Sequence, residues 1–172
     1  MVKRWHYLSG ILVLILSVPL HFLNEWTGYA PISSVLAPVN ESIWEHLKLL
    51  AIPMIFFTIP EYFLYGKHFP NYLPVRLLSI LIGMAAITTS FYTYSGILGK
   101  NYLVLDILTL VFGILCSYLF SYRYLHTDRF ISEHARFQAQ AGFLILLICF
   151  ALFTWNPPSL AFFQDYSTLS KR

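Results

Sequence analysis

Residues 103–122 read LVLDILTLVFGILCSYLFSY, twenty positions carrying one charged side chain, Asp106. As a helix this run covers about 30 Å, the thickness of a bilayer's hydrocarbon core. Four further stretches meet the same criterion: Trp5 to Phe22, His46 to Tyr65, Pro74 to Tyr94 and Gln138 to Trp155. Together with Leu103 to Tyr122 they predict an all-α fold, a polytopic integral membrane bundle of five transmembrane helices. The bundle is expected to form a single transmembrane domain over residues 1–172, with the lipid bilayer as its solvent.

Composition agrees with that expectation. Of 172 residues, 58% are hydrophobic and 11% charged, well below the roughly 25% charged of a soluble domain. Aromatics reach 18%, and rings with a polar tip suit membrane interfaces. The formal net charge of +3 reflects lysines and arginines that orient helices, not a nucleic-acid partner. Cys116 and Cys149 lie inside apolar runs, where a thiol acts as a small hydrophobe. The start, with Lys3 and Arg4 before an apolar run, has the outline of a signal peptide. No Ala-x-Ala cleavage site follows, so an uncleaved first helix is expected.

Orientation follows from the cations. Lys3, Arg4, Lys67, Arg76, Arg123, Arg129 and Arg136 fall at the N-terminus and in two loops that five spans place on one side. The positive-inside rule makes that side cytoplasmic, so the N-terminus is expected inside and the C-terminus outside. The other side has no Lys or Arg between Asn24 and Glu45, one at Lys100, and the pair Lys171 and Arg172 at the end. Pro53 and Pro60 remove backbone donors within the second span and are expected to kink it.

With this topology the polar side chains sort themselves. The outer end of the first helix has His21 and Glu25. The start of the second has Asn40, Glu41, Ser42, Glu45, His46 and Lys48; the end of the third has Tyr92 and Tyr94; the start of the fourth has Asp106. His21 and Glu25, four apart, share a helix face. Glu41, Glu45 and Lys48 form one helical stripe, and Ser42 with His46 a second about 100° around. Asn40 stands where an N-cap is expected, just after Pro38.

Imidazoles and carboxylates from two helices, His21, Glu25, Glu41, Glu45 and His46, are suitable ligands for zinc or another divalent transition metal, with His21, Glu25, Glu45 and His46 the expected metal set and Asp106 placed to orient a ligand or act as a base. Without metal, the wider set of His21, Glu25, Asn40, Glu41, Glu45, His46, Lys48, Tyr92, Tyr94 and Asp106 makes a polar pocket for a small polar ligand or ion. Interface anchoring alone accounts for Glu41, Trp26, Trp44 and Trp155 taken singly. It does not call for two His-carboxylate sets on neighbouring helices. Elsewhere, Glu61 is expected to reach Lys67 or Arg76, and Gly83 has no small residue four positions on to make a Gly-x-x-x-Gly motif.

The segments His21-Phe-Leu-Asn-Glu25-Trp26, Pro38-Val-Asn-Glu-Ser-Ile-Trp-Glu-His-Leu-Lys48 and Phe91-Tyr-Thr-Tyr-Ser-Gly96 resemble those of a family of small polytopic bacterial membrane proteins of uncharacterised function. The resemblance implies the membrane fold and a multi-pass place in a bacterial plasma membrane. It implies no activity and no catalytic residues. Three functions stay open: an outward-facing pocket for uptake or sensing of a small ligand or ion, a metal-dependent membrane hydrolase acting at the outer face, and a structural or accessory subunit of a membrane complex.

Overall fold

A computed structural model describes residues 2–166; Lys171 and Arg172 lie outside them. The described residues form α1 (Val2–Trp26), α2 (Pro31–Leu36), α3 (Ile43–His46), α4 (Lys48–Leu64), α5 (Tyr72–Leu98), α6 (Leu103–Leu125) and α7 (Glu133–Trp155). Single 3-10 turns occur at Gly66–His68 and Ala161–Phe163. Five helices are long and apolar enough to cross a membrane, counting α3 and α4 as one span over Ile43–Leu64. Each is longer than the apolar run that announces it: α1 and α5 extend at both ends, the second span and α7 at the start, and α6 at the end.

The N-cap of the second span falls later than Asn40. Asn40 Oδ1 accepts from Ser42 N at 2.9 Å, an Asx turn that keeps the chain extended, and Ser42 Oγ then caps α3 by accepting from Glu45 N at 3.3 Å. Glu41 is therefore outside the helix, not on a stripe with Glu45. α4 runs unbroken through Pro53 and Pro60. Pro53 cannot donate to the carbonyl of Leu49, and Ser17 of α1 takes over that carbonyl from across the interface, at 2.7 Å.

The core is built from Val13, Leu50, Met54, Ile80, Met84, Ile114, Tyr118, Leu146 and Phe150. The most extensive helix pair is α5 against α6. They cross where Gly83 meets Gly113: a Cβ on Gly83 would collide with Ser117 Oγ and stand 2.9 Å from the Gly113 carbonyl. The small residues that permit this approach are Ser79 and Gly83 on one helix and Gly113 and Ser117 on the other, each pair four apart. Gly83 does have its small partner, four residues before it.

Candidate functional site

One end of the bundle gathers the C-termini of α1 and α5, the start of α3 and the start of α6. The connection from α1 to α3 folds back over this end and is tied down by Asn24. The Asn24 amide donates to the Ala37 and Pro38 carbonyls at 2.9 and 2.7 Å and accepts from Ser34 Oγ at 3.2 Å. That clasp, with the Asn40 turn, carries Glu41 over α1.

Glu41 then stands between two imidazoles. His46 Nε2 lies 3.2 Å from Glu41 Oε2, and His21 Nε2 lies 3.9 Å from Glu41 Oε1. The histidine rings are 5.3 Å apart. One ligand atom from each of His21, Glu41 and His46 lies within 4.8 Å of the others. A tetrahedral ion with bonds near 2.0–2.2 Å needs such atoms roughly 3.3–3.6 Å apart, so side-chain rotations on the order of 1 Å suffice. His46 Nδ1 lies 3.0 Å from the Ser42 carbonyl; a proton there fixes the tautomer that leaves Nε2 free as a ligand. When His46 instead carries a proton on both nitrogens, Nε2 donates to Glu41 and holds that half-exposed carboxyl below its ordinary 4.5.

The three residues line a cleft of about 410 Å³ that also reaches Asp106, Asn101, Phe91, Ile87 and Leu14. Asp106 Oδ1 accepts from the Tyr94 hydroxyl, and Asn101 Nδ2 lies 3.4 Å from its other oxygen. Asp106 thus faces the same space as the imidazoles, held from two sides.

Other residues expected here sit elsewhere. Glu25 shares the face of His21 but lies one turn higher, exposed, outside both the cleft lining and the ligand group. Tyr92 is exposed, outside that lining and beside Tyr166. Glu45 and Lys48 are buried together on another side of the span. Lys48 Nζ is 2.6 Å from Glu45 Oε2, 2.8 Å from the Ser34 carbonyl and 2.7 Å from Thr154 Oγ1. Glu45 accepts from Val39 N at 3.0 Å and from Thr154 Oγ1 at 3.0 Å. This network joins α2, α3, α4 and α7.

A second polar centre, at the opposite end, had only one signal in the sequence: an acid and a base at the two ends of a short loop. Arg76, counted above among loop cations, is fully buried, with Nη2 3.2 Å from Glu61 Oε2. Tyr65 and Tyr72 donate to the same carboxylate oxygen at 2.8 and 3.3 Å, and Arg76 also reaches Tyr118 OH at 3.1 Å. Glu61 Oε1 and Arg76 Nη1 have no hydrogen-bond partner among the described residues.

Five apolar helices closed around buried ion pairs define a multi-pass helical membrane protein. A family model described as "Family of unknown function (DUF6512)" matches residues 1–170, and the chain belongs to that family. No curated protein and no solved structure matches it.

Proposed function

We propose that this protein holds a divalent transition-metal ion on His21, Glu41 and His46 at the outer face of a bacterial plasma membrane, beside a cleft that admits a small ligand. The observation that carries this is the convergence of one donor atom from each of the three residues within 4.8 Å. Two imidazoles and a carboxylate form a donor set suited to zinc, and three protein ligands leave a tetrahedral ion one open position. The outward assignment rests on Lys3, Arg4, Lys67, Arg123, Arg129 and Arg136, which gather at the end away from His21.

Asp106 favours a second reading. A carboxylate lining the same cleft, fixed by Tyr94 and Asn101, is placed as a general base, and the ion would supply an activated water for hydrolysis.

Elemental analysis of detergent-purified protein tests the site. Wild type is expected to carry about one equivalent of metal, and a His21→Ala, His46→Ala variant of unchanged elution volume none. Absence of metal from wild type after incubation with zinc overturns the metal assignment.

A further inference from the structure

The cleft at His21, Glu41 and His46 has its ionisable side chains at the outer end and only the hydroxyls of Ser17 and Thr109 deeper in its lining. Its other walls are apolar, among them Leu14, Val18, Phe22, Ile87, Phe91 and Leu110. A second cleft, about 230 Å³, lies between α1 and α6 and is walled by Ile11, Val111, Ile114 and Leu115, with His6 and Tyr118 also in its lining. Leu14 is a wall of both. From His21 to His6 is fifteen residues of α1, about 22 Å of helix. Along this length Val18, Ile11, Ile107 and Leu115 are more than half exposed, so the groove opens sideways to lipid. No hydrated solute would gain from such walls; a long alkyl chain would.

We infer that the ligand of this site is a long-chain amphiphile with an anionic oxygen headgroup, its head at His21, Glu41 and His46 and its chain in the groove between α1 and α6. This rests on the cleft being a ligand site. It adds the ligand's class. Apolar walls match the chain, and the open position of a divalent ion matches a carboxylate or phosphate oxygen, which the acidic residues Glu41 and Asp106 would otherwise repel.

Photolabelling tests it, with two probes in nanodiscs: palmitate and lysophosphatidylglycerol, each with a mid-chain diazirine. The two arms distinguish a carboxylate head from a phosphate head. Labels are expected to concentrate on the groove-lining residues of α1 and α6 relative to the exposed Ile145 and Ile148 of α7, which report ordinary lipid contact. Leu14→Trp, filling the junction, is expected to lower groove labelling about tenfold, a loss of about 1.4 kcal/mol. Gly10→Leu, aimed at Tyr118, 3.5 Å from a Cβ there, serves if the first variant does not fold. Labelling spread evenly over α1, α6 and α7, or unchanged in both folded variants, overturns the inference. Metal content measured on the same samples separates the two proposals: metal with even labelling leaves only the ion site, and groove labelling without metal leaves a groove for alkyl chains but overturns the anionic headgroup.

Discussion

Glu45 and Lys48 form an ion pair 2.6 Å long in which neither side chain is more than 2% exposed. Every oxygen of Glu45 and the ammonium of Lys48 has a partner within the protein, so the pair acts as a brace between α2, α4 and α7. Lys48→Met strands a buried carboxylate and is expected to cost about 3–5 kcal/mol. A Glu45→Leu, Lys48→Met double variant removes both charges and should recover most of that loss. Thermal unfolding in detergent reads both, and a double variant no more stable than the single one would show that the pair is not the brace.

Glu41 gives a pH signature. Its carboxyl, held below 4.5 by the His46 imidazole, binds a proton less readily folded than unfolded. The interaction therefore contributes stability above about pH 4.5 and loses it as pH falls through the lower folded value. With half its surface in solvent the effect is small. In EDTA-treated protein the melting temperature of wild type should exceed that of Glu41→Gln near pH 5–6, and the gap should close toward about pH 3. A gap that widens on acidification contradicts the arrangement.

Ser17 and Pro53 should behave as a coupled pair. Ser17→Ala leaves the Leu49 carbonyl, already abandoned by Pro53, without its 2.7 Å partner. Interhelical hydrogen bonds of this kind in membranes average about 0.6 kcal/mol and reach about 1.7. In a Pro53→Ala background the helix's own N–H returns to Leu49, and Ser17→Ala should then cost less. Equal losses in the two backgrounds would refute this account.

The crossing at Gly83 sets a fourth expectation. Gly83→Ala drives a methyl group into Ser117 Oγ and toward the Gly113 carbonyl, and overpacking of this sort costs about 1–3 kcal/mol. Ser117→Gly should relieve the clash with the hydroxyl but not with the backbone, giving partial rescue in a melting experiment.

The five spans were legible because each is a long apolar run, a property that needs no partner. The convergence of His21, His46, Tyr94 and Asp106 was legible from alternation of helix direction. Glu41 was not. It sits at the centre of the group because a local Asx turn at Asn40 and the clasp at Asn24, made between residues more than ten positions apart, fold the loop back over α1. Helical spacing gave His21 and Glu25 a common face but not a common depth. Periodicity likewise put Glu45 and Lys48 on one stripe without saying that Thr154, over a hundred residues away, would share them. Glu61 and Arg76 could be paired on sequence alone; their complete burial could not be read there.

The Glu61–Arg76 pair also constrains biogenesis. Glu61 is near the end of one span and Arg76 near the start of the next, with only seven residues between α4 and α5. A lone charge costs about 2.5–3.5 kcal/mol at the centre of a spanning helix on insertion scales, and less toward a helix end. Delivered singly, either helix would carry that penalty into the lipid; delivered together they cancel it. The pair therefore favours insertion of α4 and α5 together as a hairpin, and the second span has reason to wait for the third to be synthesised.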